Sequence, residues 1–92
     1  VERLVETARS LIAQRLGTAY NQLKFINLKG KLPEITKSPR VMPKHKNDLK
    51  TAILKDLFKD LRGQASVEVL KELSEQMSDY IIAEIQLSKG SS

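Results

Sequence analysis

The sequence predicts an all-α protein, a small bundle of three main helices with a basic, proline-containing segment in the middle of the chain. Apolar residues recur at three- and four-residue steps in three long stretches, which is the periodicity of amphipathic helices. No stretch shows the sustained alternation of apolar and polar residues that indicates a half-buried strand. With 92 residues, the chain (1–92) is expected to form one domain around one continuous core.

The first helix is predicted over residues 2–28. Its apolar residues fall within one half of the helix circumference: Leu4, Val5, Ala8, Leu11, Ile12, Leu16, Ala19, Tyr20, Leu23 and Ile26. Gly17 lies on the opposite side, where it costs about 1 kcal/mol of helix propensity without opening the apolar face. Arg15 projects into the apolar half and Phe25 projects away from it.

The middle segment, residues 29–46, is predicted to be a loop. Gly30, Pro33, Pro39 and Pro43 argue against a continuous helix, and the apolar residues between them show no clear period. A single turn from Pro33 to Lys37, with proline at its first position, is compatible with the pattern and would add a fourth short helix.

The second and third helices are predicted over residues 48–62 and 67–87, with Asn47 and Ser66 as N-caps and Gly63 as the residue that ends the second. The predicted buried face of the second helix is Leu49, Ile53, Leu54, Leu57, Phe58 and Leu61. That of the third is Val67, Leu70, Leu73, Met77, Tyr80, Ile81 and Ile85. Opposite this face, Glu68, Glu72, Glu75 and Asp79 form an acidic stripe, interpreted as a solvated surface that could also repel nucleic acid.

Charge is unevenly distributed along the chain, whose net charge is +5. Residues 1–47 hold ten Lys or Arg against three Glu, a formal +7, whereas residues 48–92 hold six against eight acids, a formal −2. This asymmetry favours a polyanionic partner, RNA or DNA, for one part of the molecule, and solubility or an acidic protein partner is the alternative. The predicted phosphate contacts are the basic residues of the middle segment, with Lys24 and Arg15 extending the track: Arg15, Lys24, Lys29, Lys31, Lys37, Arg40, Lys44, His45 and Lys46.

Catalysis, cofactors and metals are not expected. The chain has no cysteine and one histidine, so thiolate sites, multi-histidine metal sites and a cysteine nucleophile are excluded. No apolar run approaches the roughly 18–20 residues that span a bilayer, and no signal peptide is visible, so a soluble cytoplasmic protein is expected. The first residue is Val1, which leaves open a fragment, a processed chain or an internally started product.

Contacts with other protein subunits are expected at Phe25, Leu28 and Ile82, because all three lie outside the predicted apolar faces. Phe25 could instead stack on an unpaired base, or pack under the middle segment if the first helix bends. A protein-interaction bundle, such as an adaptor or inhibitor, is therefore one alternative function.

A helix-turn-helix regulator of DNA is the other alternative. Between Ser10 and Leu28, Ala13 and Gly17 stand four residues apart, as the small residue and the turn glycine of that motif do. Thr18 occupies the position after the turn where a hydrophobic residue is usual. An uninterrupted helix fits the same residues better.

The chain resembles the small helical subunits of type I CRISPR effector complexes (Cascade) in being basic, all-helical and without a catalytic group. The piece Leu11-Ile12-Ala13-Gln14-Arg15-Leu16-Gly17-Thr18-Ala19-Tyr20 is also similar to the helical C-terminal regions of the large subunits. The resemblance implies a role in antiviral defence, as a subunit that stacks in several copies along a guide-bound filament. It transfers no functional residue. The function expected is non-catalytic binding of the nucleic-acid backbone within a larger ribonucleoprotein assembly.

Overall fold

Four α-helices account for most of the computed structural model, which describes residues 2–90. They are α1 (Glu2–Leu16), α2 (Ile26–Lys37), α3 (Pro43–Leu61) and α4 (Val67–Gly90), with a 3-10 turn, Tyr20–Gln22, between the first two. No strand occurs among the described residues. The predicted all-α class is therefore confirmed.

Helix α3 lies at the centre of the bundle, packed against α2 on one side and α4 on the other, while α1 contacts both α2 and α4. Every helix contributes to one continuous core. Its buried members are Val5, Ala8, Ile12, Leu23, Phe25, Leu28, Leu32, Ile35, Leu49, Ile53, Leu57, Leu61, Leu70, Leu73, Met77, Ile81 and Ile85. The molecule measures 39 × 21 × 19 Å along its principal axes.

The predicted continuous helix over residues 2–28 is wrong. Helix α1 ends at Leu16, where Gly17 takes a positive φ of 66°, and Phe25 takes a left-handed φ of 51° just before α2. The two breaks turn Phe25 and Leu28 into the core, where both are fully buried. A left-handed residue costs about 1–2 kcal/mol, whereas burying one large apolar side chain contributes about 1.5–3 kcal/mol. Burial of the two side chains therefore outweighs the strain.

Residues 17–25 also exclude a helix-turn-helix between Ser10 and Leu28. That motif joins its helices by three or four residues, whereas nine separate α1 from α2 here. The connection is held to α1 by Arg9, whose Nε donates to the Leu23 carbonyl at 2.6 Å and whose guanidinium lies 5.2 Å from the centre of the Tyr20 ring. Tyr20 itself, predicted to be in the core, is exposed and donates to the Glu6 carboxylate.

The predicted loop over residues 29–46 is wrong as well, because α2 runs through Pro33 to Lys37. Proline inside a helix costs about 3 kcal/mol. Leu28, Leu32 and Ile35 recur at four and three residues on one side of α2 and are all buried, contributing about 1.5–3 kcal/mol each. The contribution of apolar burial is larger than the cost of the proline, so the helix continues through Pro33. The turn predicted from Pro33 to Lys37 is the C-terminal part of α2.

Helix α3 starts earlier than predicted, at Pro43, so the connection from α2 is only residues 38–42 and Asn47 is not the N-cap. Proline suits this first helical position because it lacks the N–H that would be left without a partner there. The end of α3 agrees with the prediction: Arg62 and Gly63 take positive φ values of 46° and 83° and reverse the chain.

Helix α4 begins where predicted, with the Ser66 hydroxyl accepting the Val69 N–H at 3.3 Å, and it extends to Gly90. Most of the predicted buried residues of α3 and α4 are buried. The exceptions are Leu54, which is partly buried against the core, and Phe58, Val67 and Tyr80, which are 44%, 45% and 40% exposed.

The N-terminus of α2 is capped by two carboxylates that belong to α3. The N-cap residue of α2, Phe25, makes no side-chain capping hydrogen bond. Asp60 Oδ2 accepts the N–H groups of Lys24 and Phe25 at 2.9 and 3.2 Å. Asp56 Oδ1 accepts the N–H and the side-chain amide of Asn27, and its Oδ2 accepts the Leu28 N–H at 2.9 Å. Unpaired helix N–H groups are thus satisfied across the helix interface.

The C-terminus of α2 is held by a residue of α4. Lys89 Nζ donates to the carbonyl oxygens of Thr36 and Ser38 at 2.9 and 2.5 Å. A cation at the C-terminal end of a helix meets the negative end of the helix dipole and the last free carbonyls. Both ends of α2 are therefore tied by charged side chains from other helices.

Replacing Asp56 by Ala should lower the free energy of unfolding by about 2–3 kcal/mol, because three N–H donors lose their acceptor and the Leu28 N–H is buried. Urea denaturation monitored by circular dichroism measures the change. Asp48→Ala on the same helix is the matched control and should stay within about 0.5 kcal/mol of the wild type. Equal effects of the two substitutions would contradict the capping role.

Candidate nucleic-acid interface

Positive charge is concentrated on the two helices that follow the first connection. Residues 24–62, here called the basic hairpin, carry eleven Lys or Arg against four Asp or Glu, a formal +7. The remaining residues carry five against seven, a formal −2. Two of the four acids of the hairpin, Asp56 and Asp60, are engaged with N–H groups of α2 and its N-terminal approach. The folded chain therefore has one strongly basic part and one weakly acidic part.

A groove between α2 and α3 runs along the basic hairpin. Its lining residues are Asn27, Lys31, Asp48, Thr51, Ala52 and Lys55. Lys31 and Lys55 thus border the same groove from opposite helices. Lys31 Nζ lies 3.8 Å from the Glu34 carboxylate in an exposed pair, which is worth little and leaves the lysine available to another anion.

The solvent side of α3 continues this surface. Residues at alternating steps of four and three fall within about a quarter of the helix circumference: Lys44, Asp48, Thr51, Lys55 and Phe58. Lys44, Lys55, Phe58 and Arg62 are all exposed. Two cations and one aromatic ring therefore share one side of the helix, with Asp48 as the single acid among them, and Arg62 follows as the C-cap residue.

Four of the predicted phosphate contacts are exposed on the basic hairpin. Lys29 and Lys37 lie on α2, and Lys24 and Arg40 lie on the connections before and after it. Lys29 and Lys37 lie on a helix rather than on a flexible loop, so the separation of their Cα atoms is set by the helical backbone.

Lys46 points to the other side of α3. Its Nζ lies 2.9 Å from Asp79 and 3.7 Å from Glu75, two members of the acidic stripe of α4. These carboxylates, and the hydrogen bond to Asp79 first, raise the pKa of the Lys46 ammonium above 10.5. The ion pairs join α3 to α4, and we correct the prediction of Lys46 as an available phosphate contact.

His45 does not fit the predicted role either, because it is 5% exposed. Its Nδ1 accepts the Met42 N–H at 2.9 Å, while its own backbone N–H donates to the Met42 carbonyl at 2.9 Å. The His45 ring therefore caps the start of α3 by accepting a backbone N–H group.

Arg15 lies away from the hairpin, in a groove between α1 and α4 lined by Leu11, Arg15, Gln76, Met77, Asp79 and Tyr80. Its Nη1 donates to Gln76 Oε1 at 2.5 Å. The guanidinium is therefore exposed at the edge of the apolar face and bonded to another helix, and the structure does not bring it together with the lysines.

The predicted partner contacts are corrected in the same way. Phe25 and Leu28 are fully buried, and Ile82 is half-buried against the core. None of the three is an exposed apolar side chain. The large apolar side chains that are exposed on α4 are Val67, Val69, Tyr80 and Leu87.

Lys55, Lys59 and Arg62 were not predicted as phosphate contacts, although they lie on the polar side of the predicted second helix. The available signal was the spacing: Lys44 and Lys55 are eleven residues apart and share a side only if α3 begins before Lys44. The prediction started this helix at Asp48 and left Lys44 in the loop, so the two lysines were assigned to different elements.

Beneath this surface, burial raises the pKa of the Asp56 carboxyl above 3.8, while the hydrogen bonds from Asn27 and Leu28 oppose the shift. Since the folded pKa is above the unfolded one, the folded state binds this proton more tightly. The contribution of Asp56 to stability therefore falls as pH rises from 3.8 through its folded pKa, and is constant above it.

Within residues 2–90, no group of three or more His, Asp or Glu could hold a metal ion. No helix in that range combines the length and the apolar character needed to cross a membrane. No family model, curated protein or solved structure matches the chain.

Replacing Asn27 by Ala should raise the pKa of Asp56 further, because the Asn27 amide donates to Oδ1 and stabilises the carboxylate. Titration of the Asp56 side-chain carbon by NMR measures the midpoint in both proteins. Asp48→Asn serves as the control, with an unchanged Asp56 midpoint expected. A midpoint that falls in Asn27→Ala would show that this amide does not stabilise the ionised form.

Proposed function

We propose that the protein binds the phosphate backbone of nucleic acid through the basic hairpin, without sequence preference and without catalysis. The observation that supports this most directly is the separation of charge in the folded chain, +7 on residues 24–62 and −2 on the rest. A surface of this kind attracts a polyanion and orients it toward one side of the molecule.

The proposed contacts follow the groove and the solvent side of α3. Lys31 and Lys55 flank the groove, and Lys44 and Arg62 continue the track toward the two ends of the helix. Lys44 and Lys55 are separated by about 16 Å along the axis, at 1.5 Å per residue, so each cation meets a different phosphate. Each contact releases condensed counterions and contributes affinity without reading bases.

Helix α4 supports one orientation of binding. It carries five Asp or Glu against two Lys, and Glu68 and Glu72 of its acidic stripe are exposed. A phosphate backbone is repelled by this side, so the polyanion is directed to the hairpin.

Membership in a larger ribonucleoprotein assembly is the second part of the proposal. Val69, Tyr80 and Leu87 lie on one side of α4 and are 39%, 40% and 69% exposed. An exposed apolar row outside the basic hairpin suits contact with another protein subunit. The same row favours the alternative of a protein-interaction bundle. A small subunit of a type I CRISPR effector complex combines the two surfaces, and that identity rests on the resemblance alone.

Neutralising Lys31 and Lys55 together (Lys31→Gln, Lys55→Gln) should weaken binding to every sequence alike, because two phosphate contacts are lost. The slope of log affinity against log salt should flatten by about 1.4 on a single strand, or 0.7 per contact. Fluorescence anisotropy of labelled oligonucleotides, measured at four or more salt concentrations, gives both quantities.

Lys71→Gln is the control for loss of a lysine charge, since it removes one such charge from an exposed position on α4, whereas the double variant removes two. It should leave the salt slope unchanged. If the double variant and the control behave alike, the hairpin is not the binding surface. If the wild type binds no nucleic acid at low salt, the protein-interaction bundle becomes the better hypothesis.

A further inference from the structure

We propose that Phe58 is a base-stacking position, so that the hairpin selects single-stranded over duplex nucleic acid. This inference rests on the proposed function and adds the class of strand. It begins from the exposure of Phe58, which is 44%, although its neighbours Leu57 and Leu61 on the same helix are fully buried.

The position of Phe58 on the helix explains that exposure. Leu49, Ile53, Leu57 and Leu61 follow one another at four-residue steps and fill the core side of α3. At about 100° per residue, Phe58 projects well away from that side. Phenylalanine has no polar atom, so its ring gains nothing from water, and a flat apolar partner would stabilise it in place.

Cations bracket the ring along the chain. Lys55 precedes Phe58 by three residues and Arg62 follows it by four, and both are exposed. Lys55 lies about 4.5 Å before Phe58 along the axis, and Arg62 lies just past the end of α3, at the turn that reverses the chain. A nucleotide whose base stacks on Phe58 can therefore place its flanking phosphates near Lys55 and Arg62.

The surroundings favour a nucleotide over a protein partner. Phe58 is the only large apolar residue of α3 that is exposed in the described chain, and its neighbours on that side are charged. The core of a protein interface is depleted of charged residues and needs several apolar groups together. A lone ring among cations is the combination that binds single strands, where base stacking adds to phosphate contacts. A duplex keeps its base faces stacked inside and offers the ring no partner.

Two variants test the inference against the wild type. Phe58→Ala should weaken binding to a labelled 12-nucleotide oligo-dT by about 5- to 150-fold, the effect of losing 1–3 kcal/mol of stacking. Affinity for a 12-base-pair duplex and the salt slope on both probes should not change, because the cations remain. Phe58→Trp should keep the single-strand affinity, since indole also stacks.

The tryptophan variant also gives a direct reading of stacking. The chain contains no tryptophan, so Phe58→Trp places a single indole at the site. Its fluorescence should be quenched by oligo-dT and unaffected by the duplex. Matching thermal melts of the variants and the wild type exclude loss of the fold as the cause.

The outcomes separate this inference from the proposed function. Equal losses on both probes, or no loss on oligo-dT, would overturn the stacking role while leaving salt-dependent backbone binding intact. Absence of any wild-type binding at low salt would overturn both. If the wild type binds the duplex with an affinity equal to or above that for oligo-dT, the proposed selectivity for single strands is overturned.

Discussion

The capping of α2 by carboxylates of α3 is the interaction on which the rest of the structure depends. Two residues break the predicted first helix, and the second break leaves the N–H groups at the start of α2 without local acceptors. Asp56 and Asp60 supply acceptors from the neighbouring helix and thereby set the position of α2 along α3. An unpaired buried N–H costs about 1–3 kcal/mol, so burial of Phe25 and Leu28 is compatible with folding because these acceptors are present.

The same contacts shape the electrostatics of the surface. Acids that would otherwise reduce the charge of the hairpin are turned inward to the end of α2, and Lys46 is turned toward the acidic stripe of α4. The remaining cations of the hairpin lie on α2, on the solvent side of α3 and on the adjoining connections. The formal +7 of residues 24–62 is therefore carried mainly by two packed helices, α2 and α3, and by the connections beside α2.

Helical rather than loop placement of the lysines changes how binding would work. Cations on a flexible loop adapt to any strand, but ordering the loop opposes binding. On α2 and α3 the backbone is already ordered, so only the side chains lose freedom when phosphates bind. The helix also keeps the backbone of Phe58 at a constant distance from that of Lys55, which a loop could not do. If the protein binds nucleic acid as proposed, this preorganisation would allow strand selectivity without reading base edges.

The sequence by itself determined the all-α class, the end of α3 at Gly63 and the start of α4 at Ser66, because periodicity and capping are local properties. It also showed the excess of positive charge in residues 1–47, since charge is counted without a structure, but it did not place Lys55 with Lys44. Tertiary structure decided the path of residues 17–46. In that range the local preferences of Gly17, Phe25 and Pro33 for or against helical backbone amount to only about 1–3 kcal/mol each. Side-chain burial and capping by residues distant in the sequence contribute more than these preferences. The sides of α3 that carry Phe58, Lys46 and His45 could not be assigned from the sequence, because they depend on where α3 begins and on which helices cover it.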